Sequence, residues 1–167
     1  NPSYITCDGF TLSFNNLSNS PLINSYYWDF GDPTSGANNE ATIQNPTHTF
    51  SDTGVYTIKL VTNRNQQCSD STTALVSVFP GFFPGFTSSG ICVINPVFFN
   101  DTTRAVYGVV DSWKWNFGDA ATLADTSRLQ NPQWTYSSIG PKTIELIVSS
   151  SKGCIDTVSQ IVDIIDR

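Results

Sequence analysis

The sequence predicts an all-β protein built from two antiparallel β-sandwiches in tandem. Three observations support this fold class: the chain contains an internal repeat, its apolar residues alternate with polar ones, and turn-forming residues are spread along its whole length. The 11 Gly and 9 Pro residues divide the 167-residue chain into short segments, which is typical of many short strands joined by turns.

Three sequence blocks occur twice, in the same order and at nearly the same spacing. The second copy of each block follows the first by 86 or 87 residues: Trp28–Asp32 and Trp115–Asp119, Asn45–Phe50 and Asn131–Tyr136, and Gly54–Val61 and Gly140–Ile147. A nearly constant offset indicates two copies of one domain with small differences in loop length. We therefore place the first domain at residues 1–79 and the second at residues 80–167, each large enough to fold alone.

The periodicity within each copy is that of strands. Tyr26, Trp28 and Phe30 follow one another at a spacing of two, and the block that begins at Gly54 alternates in the same way. Such alternation predicts a strand with one buried face. We expect about five to seven short strands per copy, and no segment has the pattern of an amphipathic helix.

Four phenylalanines lie in the segment from Phe79 to Phe86 that joins the two copies. A free linker is rich in Ser, Gly or charged residues, so this segment is not typical of one. We expect its rings either to pack at the junction of the domains or to begin the first strand of the second copy.

The composition excludes some classes of function. The net charge is −6 and the pI is about 4.4, which argues against nucleic-acid binding because phosphate contacts need clustered Lys and Arg. No apolar run approaches the roughly 18 residues that cross a bilayer, so we expect no membrane insertion. The sequence contains no Met and no segment resembling a signal peptide, and we expect it to be part of a longer, processed polypeptide.

Each copy contains two cysteines at equivalent positions. Cys7 corresponds to Cys92, and Cys68 corresponds to Cys154. The spacing does not fit a zinc site. Of the three possible pairings, Cys7–Cys68 with Cys92–Cys154 is the one that respects the repeat; the alternative is a set of buried reduced thiols. Disulfides would place the protein in an extracellular or periplasmic compartment.

Two motifs could indicate catalysis. Asp52-Thr53-Gly54 is the tripeptide of aspartic proteases, but those enzymes need two such carboxylates and the second copy has Ser138-Ile139-Gly140. We interpret the tripeptide as a turn. His48 is the only histidine and Trp134 replaces it in the second copy. Because indole cannot act as a general base, His48 is predicted to be structural and the chain is not predicted to be an enzyme.

Asp32 and Asp119 directly follow a Gly at the end of a predicted buried strand. We expect each carboxylate to accept backbone hydrogen bonds in the turn that leaves the strand. The alternative is a calcium site that includes Asp29 and the neighbouring residues 38–40. Asn116 stands where the first copy has Asp29, which removes one negative charge. We expect no other cofactor.

An exposed aromatic residue could stack on a sugar ring or on a protein partner. Tyr27 is predicted to point away from the face that carries Trp28, but Lys114 occupies its place in the second copy. The two copies therefore do not share an aromatic platform.

The repeated blocks resemble a known family. Trp-Asp-Phe-Gly-Asp, then Asn-Pro-x-His-x-Phe, then Gly-x-Tyr-x-Ile-x-Leu are similar to the polycystic-kidney-disease (PKD) domain, an immunoglobulin-like β-sandwich. The second copy departs from this pattern at Asn116, Trp134 and Lys142. With its cysteine pairs, the chain further resembles the tandem PKD modules of very large secreted proteins of gliding, type IX-secreting Bacteroidota.

This resemblance implies a function without catalysis. Tandem PKD modules form adhesins and stalks at the cell surface, so we expect an extracellular spacer or adhesin module whose partners are neighbouring domains of the same polypeptide. PKD modules also accompany secreted chitinases and collagenases. The alternative function is therefore an accessory module that binds polysaccharide or matrix protein for an attached hydrolase.

Overall fold

The computed structural model describes residues 3–166, and these residues form two units. The first unit extends to Pro80 and the second begins at Gly81. Each unit packs one larger β-sheet against shorter strands, and the predicted all-β fold class is confirmed.

The first unit contains seven strands and one short 3₁₀ segment. The strands are β1 (Ser3–Thr6), β2 (Thr11–Ser13), β3 (Tyr26–Asp29), β4 (Glu40–Ala41), β5 (Thr47–Thr49), β6 (Gly54–Thr62) and β7 (Asp70–Val78). The larger sheet has the order β1-β7-β6-β3-β4, and β2 pairs with β5. The 3₁₀ segment, Pro33–Asn39, lies between β3 and β4.

Two long strands organise the first unit. β6 and β7 form an antiparallel hairpin in which Gly54 pairs with Val78 and Thr62 pairs with Asp70. β1 runs parallel to β7, and its last residue, Thr6, lies opposite Val78. The order in the larger sheet therefore places the end of β1 and the end of β7 side by side.

The predicted inward faces form the core of the first unit. Trp28, Phe30, Ile58 and Leu60 are between 1 and 6% exposed, and they pack in one cluster with Val76 and other residues of both sheets. The alternation seen in the sequence thus reports the buried face of β3 and β6 correctly.

The second unit repeats this plan with two further short strands. Its strands are β8 (Phe82–Phe83), β9 (Phe86–Ser89), β10 (Pro96–Asp101), β11 (Arg104–Ala105), β12 (Val110–Asn116), β13 (Thr126–Ser127), β14 (Gln133–Thr135), β15 (Gly140–Ser150) and β16 (Ile155–Ile164). The larger sheet has the order β13-β12-β15-β16, and a three-stranded sheet has the order β14-β10-β9. β8 pairs with β11.

Three of the four phenylalanines of the connecting segment lie in the first two strands of the second unit. Phe82 and Phe86 are 5% and 3% exposed, the first in β8 and the second at the start of β9. Phe86 lies opposite Asp101 of β10. Of the two expectations for this segment, the one that placed its rings at the start of the second copy describes these two residues.

Candidate functional site

The first repeat buries a carboxylate at the turn that follows β3. Asp32 is 1% exposed, and its carboxylate accepts hydrogen bonds from the Ser51 backbone N–H (2.8 Å), the Ser51 hydroxyl (2.5 Å) and the Thr34 hydroxyl (2.8 Å). His48 Nε2 lies 3.2 Å from the same carboxylate. The Asp32 carboxylate therefore joins the turn to the segment that begins with β5.

These hydrogen bonds determine the charge state of the site. Burial raises the pKa of the Asp32 carboxyl, but hydrogen bonds from Ser51, Thr34 and His48 outweigh this effect and lower the pKa to about 2. Hydrogen bonds to a carboxylate stabilise its charged form. Asp32 is consequently an anion held in a buried turn at any physiological pH.

His48 packs as part of the core. It is 3% exposed, and its ring stacks on Phe30 with centroids 4.3 Å apart and meets the edge of Phe50 at 4.7 Å. One ring nitrogen faces Asp32, so the imidazole combines packing with a buried hydrogen bond. These contacts fit the structural role that the sequence predicts for it.

The second repeat builds the same turn from different residues. The Asp119 carboxylate accepts hydrogen bonds from the Ala121 backbone N–H and from the Trp134 indole N–H, each at 3.2 Å. Trp134 also stacks on Phe117 with centroids 5.2 Å apart. The indole therefore supplies both the stacked ring and the N–H that the imidazole supplies in the first repeat.

A further polar residue completes each turn, and the sequence did not single it out for this role. The Asp32 backbone N–H donates to the Asn39 side chain, and the Phe30 backbone N–H donates to the Asn39 carbonyl. In the second repeat Asp125 accepts the corresponding bonds from Asp119 and Phe117. Loop lengths differ here between the copies, which hides the equivalence in the sequence.

The carboxylates proposed as an alternative calcium site are engaged in these turns. Asp29 accepts hydrogen bonds from the Gly31 backbone N–H (2.9 Å) and the Asn39 amide (3.0 Å). Asn116 accepts the equivalent backbone bond from Gly118 at 2.8 Å, so a neutral amide performs the role of Asp29. Within residues 3–166 no group of three or more acidic, His or Cys side chains is arranged to hold a metal ion.

The other two motifs also lie in ordinary structural positions. Asp52 is exposed and accepts a hydrogen bond from the adjacent Thr53 N–H, and its carbonyl accepts the Tyr56 hydroxyl at 2.8 Å. The face of Tyr27 is covered by the Arg64 guanidinium, which lies 3.6 Å from the ring centroid. That face of Tyr27 is therefore not open for stacking on a ligand.

The two cysteines of the first repeat lie near opposite ends of its last strand. Cys68 precedes β7, whereas Cys7 follows Thr6, which pairs with Val78 at the far end of that strand. A strand of nine residues spans about 26 Å. A disulfide needs Cα atoms within about 7 Å of each other, so Cys7 and Cys68 are too distant to be bonded.

The second repeat has the same arrangement. Cys154 directly precedes β16, and Cys92 pairs with Ile165, the residue that follows the end of that strand. The ten residues of β16 span about 30 Å, so these two cysteines also lie at opposite ends of a strand. We call Cys7 and Cys92 the strand-end cysteines, and Cys68 and Cys154 the hairpin cysteines.

The predicted pairs Cys7–Cys68 and Cys92–Cys154 are therefore wrong. In the described chain Cys68 and Cys92 are free thiols, whereas Cys7 and Cys154 are disulfide-bonded. The repeat correctly shows which cysteines are equivalent. It does not show that the two cysteines of one copy occupy opposite ends of its β-sheet.

An apolar groove of about 590 Å³ lies on the first repeat. Its apolar lining includes Leu12, Phe14, Leu17, Trp28 and Leu60. Leu12 and Phe14 are only half-buried, and Leu17 is 87% exposed. We call this cavity the first-repeat groove.

A strand covers the corresponding residues of the second repeat. Val97 and Phe99, which are equivalent to Leu12 and Phe14, are 0% and 1% exposed. The ring of Phe86 in β9 lies 5.1 Å from that of Trp115 and 6.4 Å from that of Phe99. Gln160 donates a hydrogen bond to the Phe86 carbonyl at 3.0 Å, which attaches β9 to the larger sheet.

Comparison with known families agrees with this repeated architecture. Residues 2–78 and residues 87–165 each match the model of the PKD domain. The chain belongs to the PKD domain family. PKD domains are typically non-catalytic modules of secreted or surface proteins, and the disulfide-bonded cysteines agree with an oxidising compartment.

Individual relatives match parts of the chain. It is 38% identical over 65 residues to collagenase ColA of Bacillus cereus, which is 39% of this chain and 6% of the collagenase. The chain thus corresponds to a small part of that relative.

One solved structure shows a similar fold over nearly the whole chain. The fibronectin(III)-like modules of Clostridium thermocellum CbhA align with 99% of this chain and 89% of their own, with a TM-score of 0.58 and 11% identity. The PKD1 domain of the Vibrio cholerae metalloprotease PrtV aligns with 52% of this chain and 99% of its own, with a TM-score of 0.45 and 25% identity. Among residues 3–166, no helix has the length and apolar character needed to cross a membrane.

Proposed function

We propose that the chain is a non-catalytic extracellular spacer or adhesin module of a large bacterial surface or secreted protein. Its partners are then the neighbouring domains of the same polypeptide. The resemblance to tandem PKD modules of gliding, type IX-secreting Bacteroidota supports this proposal, because those arrays form adhesins and stalks.

The observation that carries the proposal is that the buried polar side chains of both repeats form hydrogen bonds within their own turns. Asp32 and His48 bond to each other and to the turn around them, and Asp119 and Trp134 do the same in the second repeat. An indole replaces the imidazole without loss of the stacked ring or of the N–H. Such an exchange preserves a structural hydrogen bond but would abolish general acid–base chemistry.

A domain exchange tests the spacer function directly. Two unrelated immunoglobulin-like domains of the same total length would replace this chain in its parent protein. A spacer should tolerate the exchange, with the surface display and adhesion of the parent retained. Loss of adhesion with normal surface display would show that this chain recognises a ligand itself.

The second candidate is an accessory module that binds polysaccharide or matrix protein for an attached hydrolase. The observation that favours it is the 38% identity to a segment of a collagenase. The first-repeat groove is suited to bind such a ligand, because it is concave and largely apolar.

Retention on collagen and on chitin separates the two candidates. The spacer proposal expects no retention of the isolated chain. Retention that is lost in Leu17→Asp, in the first-repeat groove, but kept in the control Leu129→Asp would support the accessory module. Both leucines are strongly exposed, at 87% and 68%, so neither change removes core packing.

A further inference from the structure

One edge of β2 has no partner strand among residues 3–80. β2 pairs with β5 on its other side, and the Phe14 N–H continues this pairing by donating to the Pro46 carbonyl. In an antiparallel pair, the backbone groups of alternate residues point to opposite sides of the strand. The backbone N–H and C=O groups of Ser13 and Asn15 therefore face away from β5, at the edge that borders the first-repeat groove.

The second repeat shows which kind of segment occupies this edge when a strand is present. β10, the counterpart of β2, pairs with β14 on one side and with β9 on the other. β9 has the sequence Phe-Thr-Ser-Ser and carries no charged side chain. Its first residue, Phe86, places an aromatic ring against Trp115 and Phe99. The segment that covers this surface is thus extended, uncharged and anchored by one ring.

The rings that would receive such an anchor are already in position in the first repeat. Phe14 and Trp28 have centroids 5.8 Å apart and an interplanar angle of 44°. Their counterparts beneath Phe86, Phe99 and Trp115, have centroids 5.7 Å apart and an angle of 45°. The receiving surface therefore has the same geometry in both repeats, although a strand covers only the second. A preformed site lowers the cost of binding.

A buried donor at the same edge also lacks an acceptor. Asn16 lines the groove, and its Nδ2 is buried and has no hydrogen-bond partner within residues 3–166. Leaving a buried donor unpaired costs free energy. Asp101, which takes the place of Asn16 in the second repeat, lies opposite Phe86 in the pairing of β10 with β9. A strand added to the first repeat would bring its backbone carbonyls to the side of Asn16.

The lining of the groove favours an uncharged peptide over other ligands. The described residues that line it include Ser, Thr and Asn beside the apolar ones, and none of them is charged. A charged side chain would lose its hydration there without gaining an ion pair. The open backbone edge favours a peptide, because an extended peptide supplies N–H and C=O groups at strand spacing and a sugar chain does not.

We propose that the first repeat binds an extended, uncharged peptide segment of another protein by strand addition to β2. The segment pairs antiparallel with residues 13–16 and places an aromatic side chain against Phe14 and Trp28, as β9 does with the equivalent residues of the second repeat. This binding mode is independent of both functions proposed above, since a spacer and an accessory module can each carry it.

One anchoring bond of β9 has no counterpart in the first repeat. Gln160 of β16 donates to the Phe86 carbonyl, whereas Ala74 stands at the equivalent position of β7 and lines the groove. The added segment is therefore held less firmly than β9, and its binding is reversible. Ala74→Gln should supply the missing donor and tighten the binding several-fold.

Titration of the full 167-residue chain with a synthetic peptide tests the proposal. The peptide has blocked termini and the sequence of residues 84–90, Pro-Gly-Phe-Thr-Ser-Ser-Gly. Binding followed by NMR should be saturable and should slow the hydrogen exchange of the Ser13 and Asn15 amides, because strand pairing protects these groups from water. A control peptide with Ser in place of Phe should bind about tenfold more weakly, since it lacks the buried ring.

Two variants of one residue test whether the backbone edge takes part. Asn15→Pro removes a backbone N–H that faces the open edge, whereas Asn15→Ala keeps it. Proline is tolerated on an edge strand where its nitrogen faces solvent, so both variants should fold. Asn15→Pro should lose the binding of the peptide, and Asn15→Ala should bind it as the wild type does.

Four results would overturn the proposal. They are the absence of saturable binding in both the wild type and Ala74→Gln, equal affinities for the Phe and Ser peptides, binding that leaves the Ser13 and Asn15 amides unprotected, and protection of these amides by self-association of the chain without peptide. The third result would show that the groove accepts a side chain without a strand, and the last would assign the edge to a second copy. A soluble chitin oligosaccharide that binds the groove where the peptide fails would instead support the accessory module.

Discussion

The two repeats differ most at the edge of the smaller sheet. In the second repeat β9 pairs with β10 and inserts Phe86 between the sheets. In the described part of the first repeat, β2 pairs with β5 alone, and the first strand, β1, pairs with β7 of the larger sheet. The same fold therefore has a closed core in one copy and an apolar groove in the other.

This difference shows which part of the fold is separable. The larger sheets and the buried turns of the two repeats correspond closely, although their side chains differ. The strand that closes the smaller sheet, β9, is not part of this shared arrangement. Among residues 3–80, the smaller sheet of the first repeat consists of β2 and β5 and has no equivalent of β9.

Removal of the Phe86 ring should cause the largest difference in stability between the two repeats. Phe86→Ala should lower the stability of the second repeat by about 3–5 kcal/mol, because it deletes a buried aromatic side chain, while the first repeat is unaffected. Calorimetry with separate probes for the two repeats would measure this. Phe83→Ala, at a ring that is 57% exposed, is the matched control. A loss below about 1 kcal/mol in Phe86→Ala would show that β9 does not complete the core.

Acid should act on the first repeat through Asp32. Its folded-state pKa of about 2 lies below the ordinary value of 3.8, so its charge contributes stability that is present above the ordinary value and is lost as the pH falls toward 2. The shift corresponds to about 2 kcal/mol. Denaturation of the first repeat at several pH values between about 5 and 2 would measure this loss of stability.

Asp32→Asn supplies the control for the acid experiment. The amide cannot titrate, so the variant should be less stable at neutral pH and its stability should depend less on pH over this interval. If wild type and variant lose stability in parallel, Asp32 is not the titrating group.

Exchange of the stacked ring should have a smaller effect. Trp134→His keeps a ring N–H and should cost less than Trp134→Phe, which removes the donor to Asp119 and should lower stability by about 1 kcal/mol. His48→Trp and His48→Phe form the reciprocal pair in the first repeat. Equal losses for both members of a pair would show that the ring stacks without a significant hydrogen bond.

The sequence predicted the features that depend on one residue type at a fixed spacing. The alternation of apolar and polar residues identified the buried faces, as Trp28 and Ile58 show. The presence of Trp134 at the position that His48 occupies in the first repeat indicated that this position has a structural role. Each of these inferences needs only local geometry. A period of two determines which side chains face inward, whatever the strand pairs with.

The sequence did not predict the features that depend on strand pairing. The first long strand of a repeat can pair with the smaller sheet, as β9 does, or with the larger sheet, as β1 does. Register decides between these pairings, and the alternation of apolar and polar residues does not. The cysteine prediction was wrong for the same reason: repeat symmetry assigned Cys7 to Cys68, whereas the parallel pairing of β1 with β7 separates them.

Calcium should have the smallest effect in either repeat. A calcium ion needs several oxygen ligands with free lone pairs, but the carboxylates of Asp32 and Asp119 already accept hydrogen bonds from backbone, hydroxyl or ring donors. Binding would have to break these buried bonds, and each lost bond leaves an unpaired donor. Millimolar calcium or a chelator should therefore leave the Tm of both repeats unchanged. A stoichiometric heat of binding in calorimetry that Asp32→Asn abolishes would contradict this expectation, whereas binding that survives in Asp32→Asn would indicate a site elsewhere on the chain.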